Sequence, residues 1–225
     1  IVAISGISDI SIGDTLCSPE NPVSIPFQKI SEPTISMFFM VNDSPFAGQV
    51  GKYVTSRNIR ERLDKELEVN VGLRVEETDS TDTFKVSGRG ELHLTILLEQ
   101  MRREGYEVAV SRPEVILKKI DGTTCEPVEE VVIDVPAQYS GSVIAALNMR
   151  KGLLKDMEDI GTYTRITYTC PTRGLIGFRS DFINMTHGEG TMVQRLYDYE
   201  PYKGEIPQRE NGALISTEAG GAMTY

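Results

Sequence analysis

The sequence predicts an α+β fold made of two split βαβ modules, preceded by the last strands of a β-barrel. Two stretches, 31–118 and 126–200, carry strand and helix signals in the same order. Each holds two apolar patterns of helical period with strand-like runs between them. The first 30 residues instead alternate apolar and turn residues. We therefore divide the chain into 1–30, 31–118, 119–200 and 201–225.

Residues 1–30 fit barrel strands that lead into a linker. The apolar positions expected inside the barrel are Val2, Ile4, Ile7, Ile10 and Ile12. Prolines follow at 19, 22 and 26, and a segment with this proline spacing cannot be helical.

Residues 31–118 are predicted to form βαββαβ. Ser56 is placed to cap a first helix, whose Ile59, Leu63 and Leu67 repeat every four residues. Opposite charges at i,i+4, such as Arg60 with Asp64, support its solvent face. A second helix starts near 90 and is expected to bury Leu94, Leu97, Leu98 and Met101. The predicted strands are 34–41, 72–77, 83–87 and 106–110.

Residues 126–200 are predicted to repeat this order, after a short connection at 118–126. The helices are expected at 140–150 and 174–185, and the strands at 128–135, 153–159, 163–169 and 190–197. Residues 201–225 begin another unit that has no room to finish, and both ends suggest a piece of a longer protein.

The composition restricts the class of protein. The net charge of -10 argues against indiscriminate binding of DNA or RNA. No apolar run approaches the ~18 residues of a membrane helix, and no leader for export opens the chain. Cys17, Cys125 and Cys170 are odd in number and widely spaced, so we expect reduced thiols, no disulfide framework and no zinc site.

Catalytic motifs are missing or incomplete. The stretch GQVGKY at 48–53 has the wrong glycine spacing for a phosphate loop, and Tyr53 cannot replace its metal-binding hydroxyl. His93 on the second helix is expected to pack or hydrogen-bond, and no second histidine has ligand spacing with His187. We expect no catalytic residue, no cofactor and no metal in this chain.

The candidate binding residues are arginines and one lysine, and we expect them to contact the phosphates of RNA. Arg150 and Lys151 end a predicted helix, where the helix dipole is a sufficient reason for a positive charge. Arg173 and Arg179 border a helix start and are stronger candidates. The full candidate set is Arg57, Arg60, Arg89, Arg150, Lys151, Arg173 and Arg179.

Several motifs resemble one family. GRGELHL at 88–94 resembles domain III of elongation factor G-like translational GTPases, and 135–152 resembles the start of their domain V. LNMRKG at 147–152, PTRGLIGFR at 171–179 and NGALIS at 211–216 look like the BipA/TypA branch. Only about eight residues separate the two modules, as expected of that branch, which has no domain IV.

The resemblance implies ferredoxin-like domains III (31–118) and V (119–200), the end of domain II (1–30) and the start of a truncated C-terminal domain (201–225). It also implies a cytoplasmic parent protein that hydrolyses GTP with magnesium in an N-terminal domain absent here. Such a parent binds the ribosome between its subunits at the factor site, touching rRNA and ribosomal proteins. Its C-terminal domain reaches A-site tRNA, and no membrane or DNA is involved. Family roles are large-subunit assembly, translation, and cold, stress or virulence regulation.

Two alternatives remain open. The chain could be a stand-alone ferredoxin-like tandem that senses a ligand or oligomerises through its sheet edges. It could also be a small acylphosphatase-type hydrolase, although 138–141 lacks that enzyme's phosphate loop and Asn148 falls in a predicted helix.

Overall fold

The computed structural model describes residues 2–7, 10, 12–27, 32–207 and 220–221. Within these ranges the chain forms two modules, each with one antiparallel sheet. The first module contains β1 (Ile35–Val41), α1 (Ser56–Val69), β2 (Arg74–Glu77), β3 (Thr83–Gly88), α2 (Glu91–Glu104), β4 (Val108–Val110) and β5 (Glu114–Val115). The second contains β6 (Lys118–Ile120), β7 (Thr123–Pro136), α3 (Ala137–Met149), β8 (Leu153–Ile160), β9 (Tyr163–Pro171), α4 (Thr172–Leu175), α5 (Phe178–Met185) and β10 (Thr191–Pro201).

Both sheets have the same topology. The strand orders are β2-β3-β1-β4 and β10-β7-β9-β8, so each module is a ferredoxin-like βαββαβ unit. The short strands β5 and β6 pair with β1 and β7, respectively. The α+β class with two split βαβ modules is therefore confirmed.

The core of the first module lies between its sheet and α1 and α2. Alternate residues of β1 point inward, and Phe39 is fully buried. Ile59 and Leu63 of α1 are also fully buried, whereas Leu67 is 37% exposed although it continues the same spacing. The helical spacing therefore predicted burial correctly for Ile59 and Leu63 and wrongly for Leu67.

The N-terminus of α1 differs by one residue from the prediction. Thr55, and not Ser56, is the cap, because its hydroxyl accepts a hydrogen bond from the Asn58 backbone N–H at 3.3 Å. The expected ion pair between Arg60 and Asp64 forms at 3.0 Å. Both threonine and serine satisfy a free helix N–H, so the sequence could not separate two adjacent hydroxyl residues.

The second module buries apolar residues of β7 and β9 against α3 and α5. The predicted helix over 174–185 is not continuous. It is replaced by α4 and α5, and the chain turns between them at Gly177, which has φ 73°. A left-handed residue cannot continue an α-helix, and glycine adopts this conformation without strain.

The connection expected at 118–126 is a β-hairpin. Lys118–Ile120 pairs with the start of β7. Asp121 and Gly122 form the turn with φ 50° and 80°, as in the Asp-Gly turns that suit the twist of a two-residue hairpin. The second sheet therefore begins at Lys118.

The strands expected in 1–30 are not formed in the part of this segment that the structure describes. Val2 and Ile4, which we expected in a barrel interior, are 83% and 64% exposed. A barrel strand needs hydrogen-bond partners on both sides, and the described residues do not supply them. The assignment of 1–30 to a barrel therefore stays a proposal.

Leu63→Ala and Leu67→Ala form a matched pair one helical turn apart. We expect Leu63→Ala to lower the free energy of unfolding by about 2–5 kcal/mol, because it leaves a cavity in the first core. Leu67→Ala should change it by less than about 1 kcal/mol, since much of that side chain already meets water and alanine favours helix. Urea unfolding followed by circular dichroism measures both, and equal losses would contradict the assigned core face.

Candidate nucleic-acid interface

The two modules meet along a seam formed by the α4–α5 turn and the start of α2. Ile176 from the second module packs against the core of the first. Next to it, the Gly177 backbone N–H donates to a carboxylate oxygen of Glu91 at 2.9 Å. Glu91 lies in the first turn of α2, where the helix dipole favours a negative charge. The seam thus combines apolar packing with one hydrogen bond from a preferred helix position.

A cleft of about 680 Å³ runs along this seam and is lined by both modules. Arg112 and Leu117 come from the first module and its exit, and Met149, Arg150 and Arg173 come from the second. Arg112 is not among the cations predicted from the sequence. Its only signal in the sequence is its place before a proline, where the chain leaves β4.

The guanidinium of Arg173 is bound by other groups of the same chain. It binds the carboxylate of Glu126, which is completely buried, and donates to the Gly204 carbonyl. It also lies 4.3 Å from the centre of the Tyr202 ring. Glu126 accepts a further hydrogen bond from the Lys203 backbone N–H at 2.7 Å. This pair clamps the chain that follows β10.

Arg150 is also partly compensated. It pairs with Asp181 at 2.7 Å, and its guanidinium lies 4.9 Å from the centre of the Phe178 ring. The neighbouring Lys151 is exposed, has φ 64°, and forms no ion pair with a carboxylate in the described ranges. At the end of α3, Arg150 is therefore ion-paired, whereas Lys151 has no ion pair in the described ranges.

The candidates on α1 are compensated by acidic neighbours. Arg57 pairs with Glu61 at 2.9 Å, one helical turn away. Arg60 pairs with Asp64 at 3.0 Å and also with Glu77 of β2. The positive charge of this helix is thus largely used within the first module.

Arg89 and Arg179 belong to the two sides of the seam. Each lies two residues along the chain from a partner of the hydrogen bond between Glu91 and Gly177. Both are exposed, and neither forms an ion pair with a carboxylate that the structure describes. The sequence candidates therefore separate into three free cations, Arg89, Lys151 and Arg179, and four compensated ones.

The groups that could suggest catalysis have structural partners. The backbone N–H of Arg89 donates to Nδ1 of His93 at 3.3 Å. The other ring nitrogen, Nε2, therefore carries the proton and donates to Oδ1 of Asn70 at 3.1 Å. Asn148 lies in α3 and accepts from the Tyr168 hydroxyl at 3.0 Å. Burial raises the pKa of Cys170 to about 12, so this thiol stays protonated at neutral pH. Each of these groups therefore has a structural role in the fold.

The glycine-rich loop at 48–52 surrounds an internal carboxylate. The backbone N–H groups of Gly51, Gly48 and Val50 donate to Glu107 at 2.6, 2.7 and 2.7 Å. These hydrogen bonds lower the pKa of Glu107 to about 2. A backbone nest of this kind binds anions, and here its anion is Glu107.

A metal site would need several ligating side chains close together. Within the described ranges, no group of three or more His, Cys, Asp or Glu side chains is arranged to hold a metal ion. None of the helices there has the length and apolar character to cross a bilayer.

Comparison with known proteins identifies relatives. Residues 123–210 match the family described as elongation factor G C-terminus. The whole chain is 56% identical to large ribosomal subunit assembly factor BipA of Haemophilus influenzae. It is 53% identical to BipA of Salmonella typhimurium and 51% identical to BipA of Synechocystis. These matches cover 100% of this chain and 37–38% of each relative, so the chain spans little more than a third of their length.

A solved structure supports the fold. A crystal structure of a protein from Thermus thermophilus superposes with a TM-score of 0.50 and 15% sequence identity. The match covers 83% of this chain and 44% of that one. At this identity the similarity concerns the arrangement of strands and helices only.

Glu126→Ala tests the buried clamp. We expect it to lower the free energy of unfolding by about 3–5 kcal/mol, because Arg173 is left largely buried without its carboxylate. The control Glu61→Ala removes an exposed partner of Arg57 and should cost no more than about 0.5 kcal/mol. Both are measured by urea unfolding, and a loss for Glu126→Ala no larger than the control would show that the pair is not buried in solution.

Proposed function

The chain is a homologue of BipA over its entire length, and on this basis we propose that it is a ribosome-binding part of a BipA-type translation factor. In this proposal residues 31–118 and 119–200 correspond to domains III and V, and 201–225 begin the C-terminal domain. The chain itself carries no catalytic role. The GTPase activity, with GTP and magnesium, belongs to the parent protein through a domain outside these 225 residues.

One observation carries the proposed RNA contact. The free cations Arg89 and Arg179 flank the seam, while most other arginines in the described ranges are neutralised by neighbouring carboxylates. Phosphate oxygens of rRNA are the natural partners of exposed guanidinium groups. Lys151, just beyond the end of α3, is a further exposed cation without an ion pair in the described ranges.

The contacts at the seam also suggest how this part of a translation factor acts. Ile176 and the Glu91–Gly177 hydrogen bond join the modules, so a displacement of one module is passed to the other. We propose that the chain transmits the nucleotide state of the parent's GTPase domain mechanically, through rigid surfaces against rRNA and ribosomal proteins.

The physiological part of the proposal follows the relatives. BipA proteins are named for assembly of the large ribosomal subunit, and we propose the same process for this chain. Binding at the factor site between the subunits, contact with A-site tRNA through the C-terminal domain, and roles in cold, stress or virulence regulation belong to the same proposal. A cytoplasmic location is part of it.

Charge reversal tests the RNA contact. We expect Arg89→Glu with Arg179→Glu to weaken binding to 70S ribosomes, and to reduce the slope of log affinity against log salt by about 0.7–0.9 per lost phosphate contact. The control is Arg102→Glu with Arg103→Glu, which makes the same change in net charge at residues already paired with Glu99. Arg173 is left unchanged because it holds Glu126.

Ribosome pelleting between about 50 and 200 mM salt measures both double variants. Equal slopes for the two would contradict a specific contact at the seam. Unfolding curves of each variant exclude a general loss of structure as the cause.

We expect the purified chain not to bind GTP with micromolar affinity, because the amides of its glycine-rich loop are occupied by Glu107. Isothermal titration calorimetry with GTP and magnesium provides the measurement. Micromolar binding would refute a nucleotide site located outside this chain, and loss of that binding in Lys52→Ala would assign it to the loop at 48–52.

A further inference from the structure

Among the residues that the structure describes, no helix covers one face of the sheet of the first module, and Phe38 lies at the centre of this open face. Its neighbours Met37 and Phe39 point into the core and are 9% and 0% exposed, whereas Phe38 is 37% exposed. The strand register places Phe38 opposite Lys85 of β3 and Lys85 opposite Glu76 of β2. An aromatic ring therefore stands on a central strand of an open sheet, beside a cation.

The next row of this open face adds a second cation. Ser36 lies opposite Ser87, which lies opposite Arg74. Arg74 is exposed and forms no ion pair with a carboxylate in the described part of the chain. Ser36 belongs to the central strand itself, and only Ser87, which is 4% exposed, lies between it and Arg74.

The charges around Phe38 are divided between its two sides. On the side of β2 and β3, Lys85 pairs with Glu76 at 3.1 Å and Arg74 is unpaired, which leaves one net positive charge. On the other side, β5 brings the carboxylate of Glu114 against β1. A polyanion on this face would therefore follow β2 and β3.

The second module provides an internal comparison, because its sheet has the same topology. Its open face carries two arginines, Arg165 and Arg195, each paired with a carboxylate of β7. Four carboxylates lie on this face: Glu130, Asp134, Asp156 and Glu158. The positions at its centre are Val132, Thr167 and Val193. The same fold thus presents one face with an aromatic residue at its centre and one acidic face, whose exposed Tyr163 lies at the end of β9.

We propose that the open face of the first module binds unpaired RNA bases, with one base stacked on Phe38. Four-stranded sheets of this kind bind single-stranded RNA through aromatic residues on their strands. Base stacking on an aromatic ring tolerates any sequence, because every base has a π-face. Arg74 and Lys85 then lie on the side where the phosphates next to the stacked base pass.

Charge decides between RNA and a protein as the occupant. On this face the unpaired cation Arg74 lies on the side of β2 and favours a phosphate there, whereas the acidic face of the second module suits the basic surface of a protein. The proposal goes beyond the ribosome contact proposed above, because it concerns another surface and unpaired bases in place of phosphates of structured rRNA.

Fluorescence anisotropy of labelled octauridine with the 225-residue chain tests the proposal. We expect Phe38→Ala to weaken binding at least about fivefold, the lower end of the contribution of one base–aromatic stack. Phe38→Tyr should keep the affinity within about twofold, since a ring is retained. Val193→Ala, which truncates an exposed residue on the acidic face, should leave binding unchanged.

Arg74→Gln gives a second measurement that does not depend on the ring. It is expected to lower the slope of log affinity against log salt by about 0.7, the value for one phosphate contact to a single strand. Urea unfolding of each variant shows whether the fold is kept. Should Phe38→Ala not fold, Arg74→Gln still decides, because an unchanged salt slope in that variant would overturn the proposal.

Three further results would overturn the proposal: no octauridine binding, equal binding by Phe38→Ala and Val193→Ala, or equally tight binding of an RNA duplex of matched length. A dimer that Phe38→Ala dissociates in sedimentation would assign the face to a second copy instead. Ribosome pelleting of the Arg89 and Arg179 variants is independent, so failure here leaves the proposed function testable by itself.

Discussion

In the part of the chain that the structure describes, helices cover each sheet on one face only, and the other features of the two modules follow from this constraint. Apolar residues alternate along the central strands, so Phe39 enters a core while Phe38 stays on the other face. A slip of one residue in register would exchange the two faces, and burial therefore fixes the pairing of β1 with β3. Because the open faces need not pack, their chemistry can diverge without cost to the fold, as the contrast between Phe38 and the carboxylates of the second sheet shows.

The seam connects two modules that have separate hydrophobic cores. These modules are linked covalently by residues 116–117, between β5 and β6, next to the ion pair of Lys118 with Glu32. The break between α4 and α5 supplies the joint, since the turn at Gly177 lets Ile176 leave the helix and reach the first core. The hydrogen bond from Gly177 to Glu91 then fixes its direction. The joint thus consists of the packing of Ile176 and this hydrogen bond.

Local patterns predicted most of the fold. Helical spacing located α1 and α2, and apolar runs located the central strands, because each signal lies within one element. The Asp121-Gly122 hairpin had a clear turn signal that the linker interpretation overlooked. Other features depend on residues far apart in sequence. Arg173 and Glu126 are 47 positions apart, so the sequence showed a cation near a helix start but not its carboxylate. The alternation at Val2 and Ile4 indicated strands, yet strands require partners that the described residues do not provide.

Electrostatics then restricts how such a chain can meet RNA. With a net charge of -10, the protein repels a phosphate backbone at long range. Attraction by a few free cations is screened beyond about 8 Å at physiological salt, so it acts only after close approach in the correct orientation. The neutralisation of Arg57, Arg60 and Arg173 by carboxylates of the same chain strengthens this effect. The proposed RNA binding therefore depends on where the remaining cations lie on the surface, and this favours one docked orientation over general association with RNA.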